Sequence, residues 1–460
     1  MDTIINCNHT KKGDASKCEN YRMLSLVCHA SKIVLEIIRS RIKPRIEAQM
    51  ATEQAGFRPG RGTIEQIFSL RLLAENYLGM QDGVLYHVFI DFKKAFDRVW
   101  HEGLWRVLHH YGFQPKLVNL MQNLYNNTKS AVIVGRSNTE WFKQTVGVRQ
   151  GCVLSPDLFN IYLEHVMREA LEGMEYIGAS INGNIVNNLC FADDTDLTAR
   201  QLGDLQRLLN KVKKVSTRYG LEISETKTEW LVMRHEDSIN TSGEQLTLKG
   251  KPLKKVDQFR YLGATITSNG DCTTDITIRT ATALSVMSSL SSIFKNRKIA
   301  SKTKIRLYKS LIQPIALYGC ETWTLRQTEE KKLLVFEMTA LRLLLGVTKL
   351  DKLRNENIRE QLSMNETILQ VVQHRQNQWL GHVLRMKDDR IAKNTLVGRT
   401  QGTRRVGKPR TSWLTSVLAR TGMRLGDVIR KAEKRCDWSL LNFQAGAYVR
   451  PPMQNMTRPQ

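Results

Sequence analysis

The sequence predicts an α+β protein, with a first half that mixes strands and helices and a second half that is helical. Three observations predict it. The run "VLYHVFID" (Val84–Asp91) is apolar on both faces, as expected of a central strand covered on both sides. Two strand-like runs, "IVNNLCF" and "TDLTA", flank the adjacent acids Asp193 and Asp194. After Thr273 the apolar period lengthens to that of helices, in "TIRTATALSVMSSLSSIF", "SKTKIRLYKSLIQPIALYG" and "EEKKLLVFEMTALRLLLG". With 460 residues, 41% of them hydrophobic, the chain is long enough for a large core divided among several domain-sized units.

The elements follow in order. After the Val84–Asp91 strand, Leu104, Val107 and Leu108 share one helical face, and Gly112 supplies a stop. A second helix begins near Pro115, with Leu117, Leu120, Met121 and Leu124 expected to face inward. "SAVIVG" and "EWFKQTVGV" predict a hairpin around "RSNT". "LSPDLFNIYLEHVMREAL" carries a helix-start signature: Ser155 as N-cap, Pro156 in the first position, and Asp157 beside the positive end of the dipole. The stretch "LLVFEMTALRLLLGV" is broken by Glu337 and Arg342 and predicts a buried helix rather than a membrane span.

Composition narrows the function. The 69 Lys+Arg against 44 Asp+Glu give a formal charge of +25, which favours a polyanionic partner, most simply nucleic acid. About half of that excess lies from Gly346 to Gln460, where 22 basic residues face 9 acidic ones. The 8 cysteines are scattered, with no C-x-x-C and no Cys/His cluster at zinc-ligand spacing, so reduced thiols and no zinc site are expected. The N-terminus has no signal-peptide core, so the expected location is intracellular, in nucleus and cytoplasm.

The chemistry concentrates on the acids. Asp193 and Asp194 at a hairpin turn repel each other unless a cation lies between them. Hard carboxylate oxygens suit Mg²⁺, or Mn²⁺ in its place, which keeps positions open for substrate phosphates. Asp91, ending a buried strand, is the candidate third acid. Two ions held by acids from adjacent strands would activate an attacking hydroxyl and stabilise a leaving phosphate oxygen. Ordinary turn chemistry is the competing account of Asp-Asp taken alone. Five residues after Asp91, Phe96 could wall a sugar pocket and exclude a ribose 2′-hydroxyl, or be a core phenylalanine; spacing alone leaves both open. In "VRQGCVLSP", Gly147 and Gly151 flank Arg149 and Gln150 and allow backbone to approach a phosphate or base.

In order, "KKGDASKCENYRMLSL", "EQAGFRPGRGT", "FIDFKKAFDRVW", "GVRQGCVLSPDLFNIYLE", "CFADDTDL", "GLEISETKTEWLVM" and "FRYLGATI" resemble the reverse transcriptase of non-LTR (LINE-like) retrotransposons. "WLGHVLRM" and "RRVGKPRTSW" resemble the C-terminal region that follows it. The resemblance implies a right-hand polymerase. Its expected parts are fingers at 1–83, a palm with inserted fingers elements at 84–270, a helical thumb at 271–347 and a basic C-terminal region at 348–460. It implies RNA-directed DNA synthesis with an RNA template, a DNA primer, deoxynucleoside triphosphates and two Mg²⁺ ions. Asp91, Asp193 and Asp194 become the metal-holding acids, with the Phe92 carbonyl as a further ligand. Phe96 becomes the sugar gate, Gln150 and Gly151 contact template and nucleotide, and Arg22 and Lys12 reach the triphosphate. Lys227 becomes the acid for departing pyrophosphate, and Tyr261, Leu262 and Gly263 the primer grip.

The departures from the family pattern lie elsewhere. Met23 replaces Pro or Gly, and Ser224 replaces Asn; both are expected to lie away from the metals. "MDTIINCNHT" does not resemble the first half of a fingers hairpin, and the expectation is that the upstream endonuclease of such elements is absent. The alternative is therefore a shortened remnant that binds nucleic acid without turnover. In the tail, Trp379, His382 and Arg385 form either a stacking stripe or a packing face, with packing favoured for Trp379. Arg404, Arg405, Lys408 and Arg410 are read as phosphate contacts, with a solvated basic loop or a nuclear import signal as the other accounts.

Overall fold

The computed structural model describes residues 3–10, 21–126, 129–134, 137–235, 243–400, 402–407 and 410–438. The architecture is α+β, and the chain divides into two compact units: Met1–Gln66 with Asp82–Asp257, and Ile67–Gln81 with Gln258–Gln460.

The first unit holds two sheets. In one, β1 (Thr3–Thr10) runs antiparallel to β2 (Tyr21–Leu26) and parallel to a strand at Lys129–Val134. The expectation for the N-terminal segment is overturned, because it does form the first half of a hairpin. The physical reason is main-chain pairing on both edges: Ile5 stands opposite Leu26 on one side and Ala131 on the other. A backbone ladder satisfies its own N–H and C=O groups whatever the polarity of the side chains. The expected hairpin around "RSNT" is present as Val134 opposite Ser137, with residues 135–136 outside the described set.

The other sheet is central. It contains β3 (Val84–Ile90), flanked antiparallel by Asp194–Ala199 and Glu229–Arg234. Asn188–Phe191 pairs outside Asp194–Ala199, and Lys254–Lys255 pairs outside Glu229–Arg234. Val88 and Ile90 face one buried cluster, while Leu85, His87 and Phe89 are buried on the alternate face, so the two-sided strand expected from the sequence is observed. The helices Ser155–Leu171 and Leu202–Arg218 pack against each other, and the second also packs against β3.

Local expectations hold with two adjustments. His101–His110 buries Leu104, Val107 and Leu108, and Gly112 has φ 69°. In Pro115–Asn126 Val118, Met121 and Tyr125 are buried and Leu117 and Leu124 pack against the same core as expected, while Leu120 is exposed, because the inward face is fixed by what the helix packs on rather than by leucine positions alone. The helix at Ser155 is capped by Leu154, which places Ser155 inside the first turn. Asp157 does more than meet a dipole: it is buried and accepts from Arg39 Nε at 2.8 Å and from Lys43 Nζ.

The second unit is mainly helical. Thr273–Ser289, Ser301–Leu307 and Gln327–Leu345 surround a core that includes Ile276, Met287, Tyr308, Trp323, Leu333 and Phe336. The last of these helices stops at Gly346, whose φ of 74° suits a glycine C-cap. In Ile368–Leu384, Trp379 meets Phe68 edge-on at 5.7 Å, and Arg385 donates to the Ala432 carbonyl at 2.8 Å, so packing is what both residues do. None of the described helices is long and apolar enough to cross a membrane.

One buried acid in this unit sets a pH dependence. Both carboxylate oxygens of Glu75 accept from the Trp413 backbone N–H, at 2.9 and 3.0 Å, and one also accepts from Thr324 Oγ1 at 3.1 Å. Burial raises its carboxyl from 4.5 to about 7, against the lowering effect of those bonds and of Arg410. A raised folded-state value means that folding favours the protonated form. The stabilisation is full below 4.5 and is lost as the pH rises through about 7. Glu75→Gln keeps an acceptor oxygen and removes the charge. It is expected to stabilise the protein by ~2–3 kcal/mol at about pH 8 and by almost nothing at about pH 5, as read by denaturant unfolding. Equal effects at both pH values would refute the assignment.

Candidate active site

The hairpin that carries the acidic pair is tight. Asp194 stands opposite Phe191, leaving Ala192 and Asp193 as the two turn residues. Ala192 has φ 56°, a conformation usually given to glycine at the first turn position. On the neighbouring strand Ile90 pairs with Thr195, so the next register step brings Asp91 opposite Asp194. The three acids therefore converge at one end of the central sheet.

Their electrostatics show the convergence. Asp194 keeps a water-accessible face, yet crowding by the surrounding protein and then the charges of Asp193 and Asp91 raise its carboxyl to about 6. Like charges this close are relieved either by a proton or by a cation. Asp91 also lies 3.4 Å from Lys227 Nζ, and its backbone N–H donates to Thr228 Oγ1 at 3.4 Å.

A short antiparallel pairing supports Asp91 from behind. Ser224 N–H donates to the Asp91 carbonyl at 2.8 Å, and Lys93 N–H donates to the Glu222 carbonyl at 2.8 Å. These two bonds bracket Phe92 opposite Ile223, so the pairing does not use the Phe92 carbonyl itself. Ser224 was expected to lie away from the acids. It is instead adjacent, because its contribution is a backbone N–H that any residue but proline provides, and side-chain identity could not signal it.

One cavity of about 450 Å³ gathers Asp91, Phe92, Phe96, Gln150, Gly151, Asp193 and Lys227, together with Phe57, Asp97, Arg149 and Ser155. Phe96 is half-buried, stacks on Phe159 at 4.2 Å and meets Phe57 edge-on at 6.2 Å, so it is both a cavity wall and a packed residue. Gln150 Nε2 donates to Asp97 Oδ1 at 3.0 Å. Gly151, at φ 97°, lies where a Cβ would come within 3.1 Å of the Ser25 carbonyl, and Ser25 N–H donates to the Gln150 carbonyl at 2.7 Å. Arg149 is buried, donates to the Leu124 carbonyl at 2.7 Å and covers the Tyr125 ring at 4.5 Å. Sequence reasoning gave no role to Phe57 or Asp97, and the positions of both depend on contacts distant in the chain.

The remaining expected residues are not among those found to line this cavity. Arg22 is on β2 opposite His9, and Lys12 and Lys408 lie outside the described residues. Tyr261, Leu262 and Gly263 form the turn of the hairpin Gln258–Tyr261 and Ala264–Thr267 in the second unit. With φ 46° at Leu262 and 85° at Gly263 this turn has the I′ pattern, and it is held by Tyr318 Oη, which donates to the Leu262 carbonyl at 2.9 Å, and by Arg279, which donates to the Gly263 carbonyl. In the basic loop, Arg410 donates to the Asn269 carbonyl at 2.8 Å, Arg405 N–H donates to the Gly79 carbonyl at 3.2 Å, and Arg404 pairs with Met80.

Among the described residues, no group of three or more His, Cys, Asp or Glu side chains is arranged to hold a metal ion by itself. The donor set does fit a hard cation of another kind. Mg²⁺ is commonly held by one or two carboxylates while substrate phosphates and water complete its shell. Asp91 and Asp193 line one cavity, with Asp194 beside them, and would be the carboxylates of such a site.

Comparison with known proteins supplies the family. Residues 10–266 match the family model described as reverse transcriptase (RNA-dependent DNA polymerase). The chain is 32% identical over 201 residues to the Transposon TX1 uncharacterized 149 kDa protein of Xenopus laevis, covering 43% of this chain and 15% of that protein. It is 24% identical over 357 residues to the probable RNA-directed DNA polymerase from transposon X-element of Drosophila melanogaster, covering 75% of this chain and 37% of that protein. A Pol polyprotein from the R2 element of Nasonia vitripennis is 28% identical over 271 residues, covering 56% and 25%. The chain thus spans well under half the length of these relatives. Among solved structures, telomerase from Candida tropicalis with a TWJ fragment of telomeric RNA aligns with a TM-score of 0.44 at 12% identity, over 86% of this chain and 64% of that one. The family model covers more than half the chain and includes the converging acids and the cavity they line, so the chain belongs to the reverse transcriptase (RNA-dependent DNA polymerase) family.

Proposed function

We propose that the chain is the RNA-directed DNA polymerase of a non-LTR retrotransposon, extending a DNA primer on an RNA template with deoxynucleoside triphosphates. The observation that carries this reading is the single cavity shared by Asp91, Asp193, Phe96, Gln150 and Lys227. Asp91, Asp193 and Asp194, with the Phe92 carbonyl, would hold two Mg²⁺ ions. When bound, the ions supply activation of the primer hydroxyl and neutralisation of the leaving pyrophosphate.

The chain's own residues supply the rest. Lys227, whose Nζ lies 3.4 Å from Asp91, would give a proton to the departing phosphate. Gln150 and Gly151 present a side-chain amide and a Cβ-free backbone to the nucleotide and template. Tyr261, Leu262 and Gly263 would hold the primer end. Arg22 and Lys12 would meet the triphosphate, and Arg404, Arg405, Lys408 and Arg410 the nucleic-acid backbone. In this reading fingers at 1–83 and palm at 84–270 precede a thumb at 271–347 and a C-terminal region at 348–460, bounds that differ from the two compact units at 67–81 and 258–270. The paired β1–β2 hairpin favours turnover over a binding remnant.

Primer extension with Mg²⁺, comparing RNA and DNA templates, tests the proposal. Incorporation of deoxynucleotides on RNA is expected. Salt-sensitive binding without incorporation would establish the remnant instead.

The gate has its own test. Phe96→Val would open space beside the sugar while Phe57, which also lines the cavity, stays in place. Ribonucleotide incorporation relative to deoxynucleotide is expected to rise roughly 10- to 100-fold in kcat/KM. An unchanged ratio would make Phe96 a packing residue only.

A further inference from the structure

We infer that Gln54 is the positioning residue of the acidic turn, its side-chain amide fixing the main chain of Ala192 and through it the aim of Asp193. The inference deepens the proposed polymerase function and rests on that reading for its catalytic consequence.

Gln54 is 3% exposed. Its Oε1 accepts from the Ala192 N–H at 2.9 Å, and its Nε2 donates to the Ala192 carbonyl at 3.3 Å. The same Oε1 accepts from the Gly56 N–H at 2.9 Å, which locks the amide in place. One side chain thus supplies both halves of a main-chain pairing to the residue directly before Asp193.

The segment around Gln54 is built for this contact. Ala55 N–H donates to the Cys190 carbonyl at 2.9 Å, and Cys190 N–H donates to the Glu53 carbonyl at 3.0 Å. Gln66 Nε2 reaches both of those carbonyls, at 3.0 Å for Cys190 and 2.6 Å for Glu53. At Gly56 a Cβ would fall 2.2 Å from the Ala192 nitrogen, so the approach requires glycine there. The motif "EQAGF" is therefore the mould against which the turn "FADD" is shaped.

The turn needs a mould because Ala192 adopts φ 56°, where an L-residue is strained. Without the two amide bonds the turn can relax, and Asp193 turns with it. Metal-holding carboxylates tolerate little displacement, on the order of 0.5 Å, and a shift of about 1 Å costs roughly 100-fold in rate.

The test uses the full chain with Mn²⁺ as the probe, binding measured by water-proton relaxation, alongside primer extension. Gln54→Met keeps the length and removes the amide. Gln54→Asn keeps an amide one methylene short. Both are expected to weaken Mn²⁺ affinity roughly tenfold and lower kcat about 100-fold, while the nucleotide KM stays within about threefold. Adding Ala192→Gly to Gln54→Met is expected to recover at least about tenfold of the lost kcat, because glycine takes that φ without strain. Mn²⁺ affinity within about twofold of the parent in both single variants would overturn the inference. So would a loss that Ala192→Gly does not recover, which would mark Gln54 as packing alone. If the parent binds Mn²⁺ but extends no primer, the polymerase reading fails, and the Mn²⁺ comparison still decides the role of Gln54.

Discussion

Replacing Asp193 or Asp91 by alanine is expected to reduce primer extension on an RNA template by on the order of a thousandfold or more. The two side chains line one cavity, and both charges act on Asp194. In the proposed polymerase reading, each carboxylate removed would take a ligand from a cation whose other ligands come largely from the substrate. The same geometry predicts the opposite sign for stability. The metal-free protein holds crowded like charges, and deleting one relieves repulsion, so the thermal midpoint of either variant is expected to equal or exceed that of the parent. Initial rates and midpoints measured on one preparation check both halves. Activity within tenfold of the parent would remove the residue from the chemistry, and a collapsed midpoint would make the acids structural.

The second large effect concerns a buried pair in the same sheet. His87 and Asp196 are both fully buried, on adjacent strands, with Nδ1 and Oδ2 at 2.9 Å; Thr198 Oγ1 donates to the same carboxylate oxygen at 3.1 Å. Burial pushes the Asp196 carboxyl up, opposed by His87 and Thr198. His87→Ala strands a carboxylate in the sheet interior and is expected to cost ~3–5 kcal/mol of stability. Replacing both members at once, as His87→Leu with Asp196→Val, removes the charge and its partner together. It is expected to cost much less than the single change, because apolar side chains of similar volume avoid the desolvation penalty. Denaturant titrations of the two variants decide it. A double variant no more stable than His87→Ala would mean that packing, not the stranded charge, sets the cost.

These residues also show how much of the protein could be read from its sequence. The period-two run at Val84–Ile90, the helix at His101–His110 and the glycine stop at Gly112 were legible because each is a local pattern. Asp91, Asp193 and Asp194 were legible because charges ending or interrupting buried strands need a reason, and the order of motifs around them gave one. Leu120 was misread because a helix's buried face depends on what lies against it. The N-terminal strand was misread because its support comes from the strand at Lys129–Val134, more than a hundred residues away in the chain, and not from its own side chains.

By itself the sequence marked the candidates for the chemistry, namely the three acids, the aromatic residue beside them and the basic surplus, and it pointed to the family. The tertiary structure alone decided how those acids are held. Gln54 lies 138 positions from Ala192, His87 109 from Asp196, and Gln150 53 from Asp97. No periodicity or spacing encodes such partners, because a hydrogen bond between distant segments is specified by the packing of the whole unit. The turn "FADD" could be recognised from its letters, but its strained conformation at Ala192, and the glutamine that maintains it, exist only once the chain has folded.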